Sequence, residues 1–214
     1  MQMKRVVVAL AVGLALVAVA LGVTLSRSPL VVVRANPTLA NGVIATTYSA
    51  AEACQGGETL PAGTSAIRLT LASDIGPRVG LRVLSGARVV TIGAVGDGWT
   101  GGSVTVPVRP LAHTLANVRI CFKLGRGAES VEIVGVQTSP RVAAKGSEGE
   151  ALPGRFKIEY MRAGPSSWWS IAKTVARHMG LGHAPSGTWI ALLLLALMGA
   201  LVATASWLTV RELR

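Results

Sequence analysis

Aromatic residues, acids and histidine are all scarce in this chain. It holds five Trp, two Tyr and two Phe among 214 residues, ten Asp and Glu, and three His. The scarcity of acids narrows the catalytic options. The acids between the apolar ends are Glu52, Glu58, Asp74, Asp97, Glu129, Glu132, Glu148, Glu150 and Glu159. Glycoside hydrolysis needs two of them to flank one cleft. Only Asp74 and Asp97, both beside turn glycines, invite that reading, and turn aspartates commonly serve the turn alone. No GxSxG pattern frames His113, so a nucleophile with its base is not indicated. Gly96-Asp97-Gly98 is too short for a calcium loop. The two cysteines, Cys54 and Cys121, carry no CxxC or CxxH spacing, which excludes the usual zinc and iron–sulfur patterns. No catalytic residue, metal or cofactor is assigned from the sequence.

Charge is also thin. Charged residues make up 14% of the chain, against about 25% in soluble domains. What charge there is leans strongly basic, with 21 Lys and Arg and a formal net charge of +11. The bases are scattered singly and no nucleic-acid-binding motif accompanies them, so nucleic acid is not an expected partner. The basic charge reads as an Arg-rich composition with an ordinary solvated surface, or, more sharply, as attraction to anionic lipid heads or an acidic envelope polymer.

Long uncharged runs stand at both ends. Residues 188–210 read TWIALLLLALMGALVATASWLTV, followed by Arg211, Glu212 and Arg214. A run of this length and character is expected to be a transmembrane helix. Trp189 and Trp207 are placed about 27 Å apart by the helical rise, close to the thickness of the hydrocarbon core. Each indole then falls at one interface. Residues 1–26 open with Lys4 and Arg5 and continue in an apolar run from Val6 to Leu25, with Gly and one Thr as the only interruptions. They read as a signal anchor or a signal peptide, with Ala18-Val19-Ala20 in the form of a cleavage site. The basic flanks put both termini in the cytoplasm and the middle of the chain outside.

Between the ends the pattern is β. Residues 27–42 read as a linker with turn signals at Ser28-Pro29, Asn36-Pro37 and Asn41-Gly42, and a short strand within it. From 43 to 164 apolar side chains alternate: Ile67, Leu69, Leu71; Val79, Leu81, Val83; Val104, Val106, Val108; Val118, Ile120, Phe122, Leu124; Phe156, Ile158, Tyr160. About eight short strands separated by Gly, Pro, Ser and Asp turns predict an all-β antiparallel sandwich. A jelly roll is the first reading and an immunoglobulin-like sandwich the second, since no Trp lies between the cysteines in a core strand. The alternation puts Cys121 on the outer face with Arg119 and Lys123. A bridge to Cys54, expected in an exported domain, would clamp residues 50–61 onto the outside of the sheet. Residues 143–153 read as a flexible loop between the last two strands.

Residues 166–180 follow, SSWWSIAKTVARHMG. Trp168, Ile171, Ala172, Val175 and Met179 share one helical face. Trp168 and Trp169 together with Lys173 and Arg177 suit a helix lying at the membrane interface, alongside Trp189 and Trp207 from the span, and the same apolar face equally suits a helix packed on the sandwich or on a partner. His178 and His183 read as ordinary polar residues near that surface. Small residues at four-residue spacing, Ala9 and Gly13, Ala18 and Gly22, Ala196 and Ala200, Gly199 and Ala203, suit close helix packing.

Trp99, among Gly96, Gly98, Gly101 and Gly102, is either a loop ring folded back to cap the sandwich or the candidate ligand platform, with Asp97, Asp74 and His113 as further ligand candidates. The expected function is a membrane-anchored, extracytoplasmic, non-enzymatic accessory or binding protein of a bacterial cell envelope, docking a polytopic enzyme or transporter. The alternatives are a stand-alone module binding glycan or anionic polymer, and an enzyme modifying envelope lipid or sugar.

Overall fold

The computed structural model describes residues 2–47, 50–127, 129–146 and 149–176, together with single positions between 196 and 211. The chain forms two compact units, one of residues 30–163 and one made of 1–29 with 164–214.

The central unit is an antiparallel β-sandwich. One sheet has the order β1 (Leu30–Ala35), β14 (Ile158–Ala163), β4 (Ala66–Leu69), β9 (Val104–Pro107). A second runs β12 (Lys145–Gly146), β3 (Glu52–Leu60), β10 (Leu115–Leu124), β6 (Val79–Ser85), β7 (Arg88–Val95). A third runs β13 (Gly154–Phe156), β11 (Val131–Gln137), β5 (Leu71–Gly76), β8 (Trp99–Gly101), with β2 (Gly42–Thr47) also paired to β11. The alternating side chains read from the sequence build the core. Ile67, Leu69, Leu71, Val79, Val83, Val106, Val118, Ile120, Phe156 and Ile158 are fully buried. Phe122 and Phe156 meet edge to face with centroids 5.2 Å apart, an arrangement their ring quadrupoles favour.

Two strands pass from one sheet to another at neighbouring points. β4 gives way to β5 at Thr70, and β13 gives way to β14 at Lys157. The Thr70 N–H donates to the Lys157 carbonyl, the Lys157 N–H to Val134, and the Val134 N–H to Thr70. A third junction lies where Gly93 of β7 bridges Val108. A Cβ on Gly93 would overlap the Pro107 carbonyl oxygen, so the close approach depends on glycine.

The segment read as a linker is partly sandwich. β1 pairs with β14 along its length, and Asn36 is buried. Residues 50–61 also differ from expectation: most of them form β3, in register with β10, rather than an irregular segment laid on the sheet. Within 143–153, β12 pairs with β3 and Ala144 is buried, so this connection is tied to the sheet edge.

In the other unit, α1 (Gln2–Ser26) is one continuous helix and α2 (Trp168–Ala176) a short one. Trp168 donates its N–H to the Arg27 carbonyl at 3.2 Å, and Gly164 donates to Pro29 at 2.8 Å. Residues 177–180, the end of the expected interfacial helix, lie outside the described residues. Among the described residues no helix is long and apolar enough to cross a membrane. Several side chains of α1 and most of 188–210 are not among them, so the expected flanking spans rest on the sequence alone.

Candidate functional site: a bulged strand, a buried carboxylate and a basic cleft

Cys54 and Cys121 form a disulfide. They face each other directly across β3 and β10, so the bridge links neighbouring strands of one sheet. Cys121 does alternate with exposed Arg119 and Lys123, as expected, but is itself buried. Glu52 stands close to both sulfurs. With both sulfurs oxidised there is no thiolate to hold a metal ion.

The next residues of β3 control the local architecture. Val118 pairs with Glu58, while Ile120 pairs with Gln55. Two steps on β10 thus match three on β3, which is a bulge at Gly56 and Gly57. Gly57 takes a φ of 73°, a conformation glycine adopts without steric cost. The burial pattern shows the consequence. Ala53 and Gln55 point inward, Gly56 and Gly57 are both exposed, and Glu58 and Leu60 point inward. The extra residue reverses the phase and turns a carboxylate into the core.

Glu58 is received there by a set of polar partners. Its Oε1 accepts hydrogen bonds from Gln55 Nε2 (2.7 Å) and Arg155 Nη2 (2.5 Å), and its Oε2 accepts from the Tyr160 hydroxyl (3.1 Å). Gln55 Oε1 accepts the Phe156 N–H and Asn36 Oδ1 accepts the Ile158 N–H, while Asn36 Nδ2 donates to the Phe156 carbonyl at 2.9 Å. These are the backbone groups on either side of the sheet crossing at Lys157. A strand changing sheets exposes ladder groups to the interior, and buried backbone groups need partners. Burial, then the charge and hydrogen bond of Glu58, push the Tyr160 hydroxyl above its ordinary pKa, against the weaker pull of Arg34 and Arg155. This network went unseen in the sequence because period-two alternation cannot register a bulge. The Gly56-Gly57 pair inside a strand was the available signal.

Arg155 also donates to the Val142 carbonyl (3.3 Å) and the Gly56 carbonyl (3.2 Å). It thereby joins the bulge to the chain following β11. Between them opens a cleft of about 530 Å³, lined among others by Arg119, Arg141, Lys145, Arg155 and the two bulge glycines. A smaller depression of about 170 Å³ continues from Gly56, Gly57 and Arg119 toward Asn117. Arg119, Arg141 and Lys145 are exposed. Among the described residues none of the three has a salt-bridge partner, whereas Arg68, Arg82 and Arg155 are paired.

The ligand candidates read from the sequence lie elsewhere and apart. Trp99 is half-buried against the core. Its Nε1 donates to the Pro77 carbonyl at 2.7 Å, and its ring lies on Gly76, where a Cβ would overlap it. Asp74 and Asp97 are both exposed. Gly76 pairs with Trp99 and Ser73 with Gly101, which sets the two aspartates roughly 10–13 Å apart along the ladder. Asp74 lines an acidic depression of about 490 Å³ with Glu129 and Glu132, in which Glu129 is occupied by the Ile75 N–H at 2.7 Å. His113 is exposed in a separate depression beside Arg88 and Leu111. β6 separates the two ends: Val79 pairs with Val95 near Asp97, and Ser85 with Arg88 near His113. That is about 20 Å of strand, so His113 does not converge with the aspartates.

Of the expected interfacial residues, Trp168, Trp169 and Trp207 are exposed at 41%, 58% and 60%. The Arg211 guanidinium lies 5.5 Å from the Trp207 ring centroid. Trp189 and Arg177, and the side chain of Lys173, lie outside the described residues.

Comparison with protein-family models, with curated proteins and with solved structures finds no match to this chain.

Proposed function

We propose that the chain is a membrane-anchored, extracytoplasmic, non-enzymatic accessory and binding protein of a bacterial cell envelope. The observation that carries this reading is the pairing of Leu30 with Ala163. The first residue of the sandwich and its last are register partners, so both connections leave from one place. That arrangement suits a domain tethered to one membrane through both ends. The uncharged runs 6–25 and 188–210 then serve as spans, with Lys4, Arg5, Arg211 and Arg214 on the cytoplasmic side. The disulfide supports an oxidising compartment for the sandwich. Exposed Trp168 and Trp169 support an interfacial position for α2.

The small-residue faces of the spans dock a polytopic partner, and the sandwich orders or feeds that partner's outer face. Strands distant in sequence, β3 with β10 and β1 with β14, are neighbours in space, which favours the jelly roll as the finer description of the sandwich. The test is a mild-detergent purification of the full-length protein from its native membranes, read by mass spectrometry. A polytopic protein recovered in stoichiometric amount is the expected result. Recovery of the protein alone, after crosslinking as well, overturns the docking role.

A further inference from the structure

From the basic cleft beside the bulge we infer an anion-binding site for a polysaccharide that carries repeating phosphate or carboxylate groups. The inference deepens the proposed function by naming what the sandwich takes, and it rests on that reading for the compartment where the ligand is met.

The fold assembles the site from bases that are isolated in the sequence. Arg119 comes from β10, Arg141 from the chain after β11, Lys145 from β12 and Arg155 from β13. Among the described residues no acid lines the cleft. Glu58 lies behind Arg155 in the core, Glu52 is paired with Arg82, and Glu150 has its carboxylate against Gly146 at the edge. The acids instead gather at Asp74, Glu129 and Glu132 around a different depression. The described lining of the cleft is therefore basic, and a basic concavity concentrates anions.

The four bases do different work. Arg155 is committed to Glu58, Gly56 and Val142, and is a positioning residue that holds two walls of the cleft together. Arg119, Arg141 and Lys145 are left to meet a ligand. Arginine presents a planar fork that suits phosphate or carboxylate oxygens in pairs. At the floor, the bulge interrupts the ladder at Gly56 and Gly57 and brings exposed backbone without side chains, so a ligand can approach closely.

The lining also says what the ligand is not. Among the described residues it contains no Trp, Tyr or Phe. A neutral sugar is commonly held by stacking on an aromatic ring, and single-stranded nucleic acid by stacking of its bases. Neither platform is present, so charge and hydrogen bonding carry recognition. The cleft and its extension can take about one to two sugar units with their acidic groups, since ligand sites of comparable size run from about 300 to 1,000 Å³.

The test uses the full chain in nanodiscs of zwitterionic lipid, titrated with a phosphomannan, with polygalacturonate and with neutral dextran. Binding of at least one acidic polymer and none of dextran is expected, and the two acidic arms separate a phosphate source from a uronate source. The double substitution R119Q/R141Q removes two charge-assisted contacts and is expected to weaken that binding about tenfold or more. R78Q/R126Q removes two exposed bases at the far end of the sheet and is expected to change it by less than about twofold. Equal weakening by both pairs overturns the site, as does binding that survives R119Q/R141Q or no binding of either polymer. Displacement of the polymer by an unstructured oligodeoxynucleotide or by phosphatidylglycerol vesicles at equal charge also overturns it. Polymer binding without a copurified membrane partner leaves this inference standing and the docking role fallen, and the reverse result separates them the other way.

Discussion

Glu58 is the residue whose environment departs furthest from what its type suggests. A carboxylate at 4% exposure is held by Arg155, Gln55 and Tyr160. Breaking such a pair from one side leaves the other charge without its partner, and Arg155 is itself mostly covered. Glu58→Ala is therefore expected to lower stability by about 3 kcal/mol, measured by urea unfolding of the full chain in detergent. Tyr160 makes a different prediction. Its pKa is raised in the folded protein above the ordinary 10.0. The folded state thus keeps the phenol neutral where the unfolded chain would ionise it. Its contribution is fully present below pH 10 and is lost as pH rises further. Tyr160→Phe should cost about 1–3 kcal/mol at pH 7, the usual range for a buried hydrogen bond to a charged group. The gap to the wild type should narrow as unfolding is repeated between pH 10 and 11. A constant gap would show that Tyr160 is not held neutral by its surroundings.

At the scale of elements, β3 and β10 form the frame on which both the buried network and the cleft depend. Their disulfide closes a separation of 67 residues, which the loop-entropy model values at about 4 kcal/mol. Cys54→Ser with Cys121→Ser is expected to lose up to that amount, read as a fall in the urea midpoint. Gly57→Ala forces a side chain into a positive φ in open space, and should cost about 1 kcal/mol from backbone strain. Gly93→Ala should cost more, because its Cβ meets the Pro107 backbone where β7 passes β9.

The same elements show what could be read in advance. Strands with unbroken alternation, such as β6, β9 and β10, were legible because a half-buried strand repeats every two residues. Their inward residues are those found in the core. β3 was not legible, since one inserted residue reverses its faces and places Glu58 where alternation puts a solvated group. β1 was only half-legible: Leu30, Val31 and Val32 look like a strand, but pairing with β14 lies 130 residues away and leaves no local trace. The cleft was invisible for the same reason, as its bases come from four different segments. Trp99 drew attention through rarity and neighbouring glycines. The glycine that matters is Gly76, across the ladder, whose missing side chain lets the indole lie on it while Nε1 reaches the Pro77 carbonyl.

For the whole molecule, the account joins a disulfide-bonded sandwich whose ends leave together to two uncharged terminal runs. Under the proposed function, that combination makes the domain an outward-facing platform held by both of its ends. The measurement that bears most directly on this is protease treatment of intact spheroplasts after alkaline carbonate washing, with tags at both termini. The account predicts that the protein stays in the membrane fraction. External protease should reach the sandwich, and both tags should be protected until the membrane is opened. Release of the protein by carbonate, or digestion of either tag in sealed spheroplasts, would contradict it.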